Sequence, residues 1–548
     1  MLYHFLRTSI LFLFFLISLN SQIIRETRAV WVTTNFRLDW PPPTNDSEIQ
    51  KKELEKIFDN IKSKNLNTIY FQVRSNGTVL FNSEYEPFAF HLVPQREFDP
   101  LQFAINEAHK RGLEIHAWVN VVRLFSGTET SILRNPNHIK NKFPYWVKEF
   151  RENGALSYWL DMGYPEVRDY LKNEFIDLIK NYNIDGLHFD FIRYPGKNFD
   201  DNESFSLYGA GINKDDWRRR NINLFVEDVY KSAKSINPLI KIGSAPIGIY
   251  ENIGSLRGFE GYNDVYQDAR YWLKAGIMDY IVPQVYWSFG GAVPFENISL
   301  DWLKNKYNRQ VIIGTAAYKS EVKTQLNRMI DFTRENNSDG IAFFRYENIK
   351  DINFAKFEEK AFPVEYPWIK KNEPLAPTNL TYSFVDNMIQ LNWTKPGNSN
   401  SVFYYGLFNK DELIELFPSD ISSIKFKSIS NKYVLNLHLK SIDKAWNESV
   451  ESSNSITIKN PILSGFYNSV FDPEARPILL KTNNNFYISL ISLANDNLLI
   501  EFENSINNSI TTKITRGRNI IKLSSNAAEA KEIKLKFTNS GRSISLYK

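Results

Sequence analysis

Between Arg25 and Phe362 the chain alternates, eight times over, a short apolar run of strand character with an amphipathic stretch of helical period. The strand-like runs are 28–34, 68–74, 114–121, 185–193, 241–248, 280–287, 311–318 and 340–346. Between them lie helical stretches such as 48–63, 101–111, 166–182, 217–235, 265–275 and 321–335. Strand–helix repeats require parallel pairing, because each crossover helix carries the chain back to the same end of the sheet. Eight such units predict closure into an α/β fold, a (β/α)8 barrel of TIM type. An open doubly wound sheet would carry Gly-x-Gly-x-x-Gly after its first strand, and that fingerprint is absent.

At 548 residues the chain exceeds one compact domain, and its hydrophobic fraction of 43% supplies more than one core. The barrel is assigned to residues 25–365 and a polar, proline-bearing linker to 366–377, where Lys370-Lys371-Asn372-Glu373-Pro374 interrupts the pattern. Residues 378–460 carry short alternating runs with turn residues between them. Pro377 and Leu380 open the first, Trp393 takes a core position, and the segment resembles a fibronectin type III-like sandwich. Residues 461–548 form a second β-rich unit, read as another small all-β sandwich of undetermined role. At the other end, Arg7 precedes an apolar run from Ile10 to Leu19, followed by Asn20, Ser21 and Gln22. This is the pattern of a signal peptide over 1–21, with an uncleaved anchor as the alternative, and it predicts an extracytoplasmic protein, periplasmic or secreted. The chain has no cysteine, which excludes disulfides and thiolate metal sites.

The net charge of +4, with acids and bases mixed throughout, gives no footprint for nucleic acid. The runs Arg218-Arg219-Arg220 and Lys51-Lys52 read as solvated helix faces. Aromatic residues reach 15%, which suits a protein that grips flat sugar faces, although barrel and sandwich cores use aromatics as well.

Alternation along the strands locates the chemistry. In 185–193, Leu187, Phe189 and Phe191 share one face, His188 and Asp190 the other. In the second strand Tyr70, Gln72 and Arg74 share a face; in the third His116, Trp118 and Asn120; in the sixth Gln284 and Tyr286, with Trp287 just beyond. Polar and aromatic groups from four strands thus converge inside the barrel, and those near strand C-termini belong at its catalytic end. Three long βα loops at that end, 75–99, 122–163 and 196–214, are expected to be functional. Asp190 is the leading acid/base or nucleophile, since a carboxylate stabilises the cationic sugar of glycosidic cleavage. His188 either orients Asp190, contacts a sugar hydroxyl, or is a satisfied core histidine. Arg74 and Arg193 offer guanidinium forks for a carboxylate. Arg74, Trp118, Asn120, His188, Arg193, Gln284, Tyr286 and Trp287 are therefore the candidate substrate-binding residues. For a second catalytic carboxylate the chain offers Glu347 after the eighth strand, with Asp39 and Asp268 as alternatives, whereas Asp161 reads as the cap of the helix that follows it. The seven histidines are scattered, so neither a metal nor another cofactor is expected.

A family resemblance rests on Glu26-Thr27-Arg28-Ala29-Val30-Trp31-Val32 and Asp39-Trp40-Pro41, on Asp185-Gly186-Leu187-His188-Phe189-Asp190 with Arg193-Tyr194-Pro195, on Tyr266-Gln267-Asp268 and Trp272, and on Asp279 through Trp287. Together these resemble the glycosyl hydrolase-like 10 family over residues 26 to 361. The resemblance implies a (β/α)8 glycosidase; one bacterial relative is a cell-envelope enzyme that cleaves peptidoglycan strands stripped of their peptides. The fourth strand is also similar to the chitinase pattern Asp-Gly-x-x-x-Asp-x-Glu, but Ile192 stands at the position of that pattern's glutamate. A substrate-assisted chitinase mechanism needs an acid there. The expected function is a glycoside hydrolase acting on an oligo- or polysaccharide, with a bacterial envelope glycan favoured. Alternatives are an extracellular polysaccharide-degrading enzyme, or a non-catalytic carbohydrate-binding barrel attached to the envelope through its C-terminal β domains. The sequence does not indicate an oligomeric state.

Overall fold

The computed structural model describes residues 24–369 apart from 90, 91, 93–97, 129 and 153, and residues 373–547 apart from 386, 387, 398, 427–433, 451, 460–477, 483, 484, 493, 494, 503–508, 516, 524–531 and 539–542. The segment 1–21, expected from its sequence to be a signal peptide, and residues 370–372 of the expected linker lie outside them. Among the described residues no helix is long and apolar enough to cross a membrane.

Eight parallel strands close into a ring: β1 (Thr27–Val32), β2 (Thr68–Ser75), β3 (Glu114–Asn120), β4 (Gly186–Asp190), β5 (Lys241–Ser244), β6 (Tyr280–Ile281), β7 (Gln310–Thr315) and β8 (Gly340–Phe343). Each pairs with its successor, and β1 pairs with both β2 and β8. Outward residues such as Val30, Ile69, Ile115, Leu187 and Phe189 are fully buried under the helical layer. That layer includes the helices Ser47–Ser63, Pro100–Lys110, Pro165–Asn181 and Lys214–Ile236. Their starts follow local chemistry: Asp46 accepts the Glu48 and Ile49 N–H groups, and Asp99 accepts that of Gln102 behind Pro100.

Every barrel strand except β2 stops earlier than its periodicity predicts, and in two of them the cause is local. β4 ends at Asp190 because Phe191 turns to φ +50, outside the β region. β6 holds only two residues, since Pro283 has no N–H for a ladder. The long loop after β3 builds its own antiparallel sheet, in which Ala155–Leu160 lies between Arg123–Ser126 and Val147–Glu152. The loop after β4 is clamped by Arg218, which is not solvated as the basic run predicts. It is buried, bonds both Asp201 carboxylate oxygens at 2.6 Å, and donates to the Lys197 and Phe199 carbonyls.

The C-terminal region forms two antiparallel units. The first comprises β9 (Thr378–Val385), β10 (Met388–Thr394), β11 (Tyr404–Asn409), β12 (Glu412–Pro418), β13 (Ser423–Phe426), β14 (Val434–Ile442) and β15 (Ile456–Lys459), in sheets ordered β9-β10-β13 and β12-β11-β14-β15. Its core holds Leu391, Trp393, Tyr405, Leu407 and Leu437. The second comprises β16 (Ile478–Thr482), β17 (Asn485–Ser492), β18 (Asp496–Phe502), β19 (Ser509–Ile514), β20 (Gly517–Leu523), β21 (Glu532–Phe537) and β22 (Ser543–Tyr547), ordered β16-β17-β20 and β19-β18-β21-β22. The two units repeat one topology.

The first unit closes the floor of the barrel, at the N-terminal ends of its strands. The Trp446 indole N–H donates to Glu114, which also pairs with Lys241 inside the barrel. Lys444 reaches the Ile184 carbonyl at 3.1 Å, and Arg25 bridges Glu365 and Glu448 at 3.1 and 3.0 Å. Trp446, Tyr404 and Phe408 form one apolar cluster with Phe362 of the barrel. Tyr366 and Ile369, assigned to the linker by composition, are buried under the same floor, where Trp368 donates to Asp279 at 2.7 Å. Trp446→Ala removes a buried indole and leaves Glu114 without one of its donors. It is expected to lower stability by about 3–5 kcal/mol, read as a fall in the urea midpoint of the barrel transition; an unchanged midpoint would show that the floor is stable without this contact.

Candidate active site

The interior of the barrel is filled by a hydrogen-bonded column. The Trp31 indole N–H donates to His188 Nε2 at 3.1 Å; His188 Nδ1 lies 3.1 Å and His116 Nδ1 2.7 Å from the Tyr280 hydroxyl; His116 Nε2 lies 3.3 Å from Glu114. One assignment gives every proton an acceptor. His188 carries its proton on Nδ1 and donates to Tyr280, Tyr280 donates to His116, and His116 donates to Glu114. Burial holds the imidazoles neutral: the His188 pKa falls well below the ordinary value and that of His116 to about 4. Tyr70 stacks on His188 at 4.1 Å between ring centres. Gly186 permits the close approach of β3 and β4, since a Cβ there would stand 2.3 Å from His116 Nδ1. With both ring nitrogens engaged, His188 belongs to this column.

Asp190 stands at the C-terminal end of β4, above the column, 7% exposed. Its Oδ1 accepts the Phe191 N–H at 2.7 Å and a longer contact from Gln284 Nε2 at 3.4 Å. Asn120 is its register partner on β3. The Trp118 indole N–H lies beside the carboxylate and makes no hydrogen bond of ordinary geometry. Tyr286 is close enough for the charge on Asp190 to add to the burial that raises its phenol pKa. Burial raises the Asp190 pKa, opposed chiefly by the Arg123 guanidinium and less by Arg193. The buried Trp118 N–H and Asn120 Oδ1 lack partners at the end of the barrel where a ligand rich in hydroxyls would supply them.

A strained turn aims the carboxylate. Phe191, at φ +50, carries the N–H that Asp190 accepts. Two backbone bonds, Val121 N–H to Asp190 C=O at 2.8 Å and Val122 N–H to Phe191 C=O at 3.1 Å, tie this turn to the chain leaving β3. They place Arg123 Cζ 3.4 Å above the Phe191 ring, with Arg193 on the same ring at 5.0 Å and Trp159 edge-on at 5.9 Å. Opposite, Phe344 after β8 gathers Trp31, Trp118, Tyr286 and Tyr318 at centroid distances of 5.8, 6.3, 5.8 and 6.1 Å. Tyr318, half exposed, ends this aromatic wall. Trp287 packs over Gly248, where a Cβ would meet its ring at 2.7 Å.

Among the candidates, the structure brings Asp190, Trp118, Asn120, Gln284, Tyr286 and Arg193 together. Arg74 is a correction. The β2–β3 register slips between Gln72, opposite Trp118, and Arg74, opposite Val119. This bulge turns Arg74 out of the barrel, where it is fully buried between Glu86 and Glu174. Glu347 is not joined to Asp190: its side chain is 44% exposed and pairs with Lys350 at 2.6 Å. Asp39 is buried and consumed by the Thr33 and Glu347 N–H groups and Arg345. Asp268 accepts the Tyr250 hydroxyl and caps its own helix. Asp161 is not the cap of its helix, which starts from Tyr164; it accepts Gly163 N–H and the Ser204 hydroxyl, and burial raises its pKa to about 6. Sequence reading missed Arg123, Trp159, Phe344 and Tyr318. The only signal for the first two was the length of the loop that carries them.

A closed (β/α)8 barrel with a buried carboxylate at its C-terminal mouth is the architecture of many glycosidases. Residues 26–345, more than half of the chain, match the family described as Glycosyl hydrolase-like 10. The protein is a glycoside hydrolase by class, with a carbohydrate as substrate. It belongs to the glycosyl hydrolase-like 10 family. It is 30% identical over 439 residues to the glycosyl hydrolase YngK of Bacillus subtilis, covering 72% of this chain and 84% of that protein. It is 32% identical over 329 residues to the glycosyl hydrolase DigH of Escherichia coli K12, covering 55% and 75%. Among solved structures, an α-L-fucosidase isoenzyme from Paenibacillus thiaminolyticus aligns at 14% identity and TM-score 0.42 over 64% of this chain and 52% of that one, too distant to bear on the site.

Arg123→Gln removes the positive charge that most opposes the effect of burial on Asp190. If Asp190 works as the carboxylate, activity falls as pH drops through its pKa, so the acid limb of kcat/KM in the variant is expected to move to higher pH. A limb that stays in place shows that Arg123 does not set this charge.

Proposed function

We propose that this chain is a secreted or periplasmic hydrolase of the O-glycosidic bonds in a bacterial envelope glycan, with peptide-free peptidoglycan strands as the favoured substrate. In this reading Asp190 is the carboxylate that meets the anomeric centre. The observation that carries it is the setting of Asp190: nearly buried, between Arg123 and the aromatic wall, with the Trp118 N–H and Asn120 Oδ1 unpartnered beside it. A sugar that develops positive charge at its anomeric carbon as the glycosidic bond breaks meets here a carboxylate screened from water, where opposite charges attract strongly. Trp118, Asn120, Gln284, Tyr286 and Arg193 are assigned to sugar contacts. The envelope substrate follows from the family resemblance, and the extracytoplasmic location from the apolar run at residues 10–19. The strand order of residues 378–459, three strands against four, supports a fibronectin type III-like module. The second β unit is assigned to envelope association.

Wild-type protein is expected to release soluble fragments from purified peptide-free glycan strands, detected by chromatography and mass spectrometry. Asp190→Asn is expected to lower kcat by at least ~100-fold while strands still bind; wild-type turnover in this variant sinks the assignment. One observation favours a second reading: the exposed Glu347 is paired with Lys350 and not with Asp190. If wild-type protein binds strands and releases nothing, the chain is a carbohydrate-binding barrel. Location is tested separately by intact mass of the protein recovered from periplasm or medium. Loss of the residues up to about position 21 is expected, and retention of Met1 rules out cleavage.

A further inference from the structure

We propose that Phe36 is a stacking platform for a distal sugar of the same glycan, forming a second subsite on the rim of the barrel between the loops after β1 and β3; this rests on the glycan-hydrolase reading above. Phe36 stands at φ +55 and Arg37 at φ +53, two consecutive side-chain-bearing residues in the left-handed region. For a bulky aromatic that conformation is strained. The strain is not offset by burial of the ring, because Phe36 is 53% exposed and Leu38 44%, whereas Trp40 of the same loop is fully buried.

The neighbourhood holds the ring in place. Gln72 Oε1 accepts the Thr34 and Asn35 N–H groups at 3.1 and 2.9 Å, and the Thr34 hydroxyl donates to the Gln72 carbonyl at 2.9 Å. Asn76 donates to Asn35 at 2.9 Å, and Arg345 to the Leu38 carbonyl at 2.6 Å. The ring lies against Gly127, itself at φ +116, where a Cβ would stand 2.5 Å from Phe36 Cζ. Only a glycine admits the ring so close. The ring is therefore backed by main chain on one side and about half open to solvent.

The position makes a sugar the occupant. The loop follows the C-terminal end of β1, the same end of the barrel as Asp190. The extended segment Arg123–Ser126 runs from the guanidinium stacked beside Asp190 to Gly127, about 13 Å at 3.3 Å per residue. A short oligosaccharide spans that distance, and an immobilised aromatic ring matches the flat apolar face of a pyranose with little entropy left to lose.

The test compares Phe36→Ala with wild type on peptide-free glycan strands fractionated by length. For long strands KM is expected to rise about five- to twentyfold with kcat unchanged. For the shortest fragments that are still cleaved, both constants are expected to stay the same. Phe36→Trp should restore the long-strand KM. The melting temperature of Phe36→Gly should be no lower than that of wild type, since glycine relieves the left-handed backbone and half of the ring already lies in solvent. A long-strand KM in Phe36→Ala equal to wild type overturns the subsite while leaving the hydrolase reading intact. A uniform loss on long and short substrates, or a lower melting temperature in Phe36→Gly, assigns the ring a structural role instead. A wild-type protein inactive on every strand length overturns the hydrolase reading, and the subsite with it.

Discussion

The structure depends on the column of hydrogen bonds along the barrel axis, from the Trp31 indole through His188, Tyr280 and His116 to Glu114. A barrel interior is dry, and every polar group placed there costs stability unless it is paired. Here each ring nitrogen hands on to the next, so four strands can contribute aromatic and imidazole side chains without leaving a charge in the middle. The column ends on Glu114, whose charge is met by Lys241 and by Trp446 of the appended sandwich. Removing one partner of a buried ion pair costs far more than the pair contributes. The sandwich thereby becomes part of the barrel's floor, although nothing in its own core requires the barrel.

The same column sets the height of the barrel's C-terminal mouth. Asp190 is the first inward residue above it on β4, and Phe191 ends the strand immediately afterwards. Two backbone bonds from the chain leaving β3 hold that turn, and the Arg123 guanidinium covers the Phe191 ring. The strain at Phe191 is thus distributed over neighbours that also tune the carboxylate: its N–H bonds Asp190, and Arg123 opposes the burial that raises the pKa. Ile192, which takes the position of the glutamate in the chitinase pattern, is fully buried in the core.

Strand–helix alternation made the barrel legible, since a parallel strand under helices must be apolar on its outer face whatever the loops do. Alternation also placed Asp190, Trp118 and Asn120 correctly on the inner face. It failed where the period broke. At Arg74 a bulge inserts one residue and reverses the side, and periodicity carries no mark of a bulge. At His188 the periodicity was right, but burial and two ring partners put the residue in the core. Arg123 and Trp159 reach the site through a small antiparallel sheet folded from a loop, so their spacing along the chain says nothing about their distance from Asp190. Glu347 follows the right strand, yet its side chain turns out to Lys350.

By itself, then, the sequence determined the number and direction of the barrel strands, the change to antiparallel sheets after residue 377, and the carboxylate at the end of β4. These follow from local periodicity, which records how each side chain meets water or core. Only the tertiary structure decided which inward groups pair with one another, which face the mouth, and that the sandwich seals the floor. Those outcomes depend on bulges, left-handed turns and contacts between residues hundreds of positions apart, such as Glu114 with Trp446. Local patterning does not encode them, because their energy arises only when the closed barrel and its sealed floor exclude water from the interior.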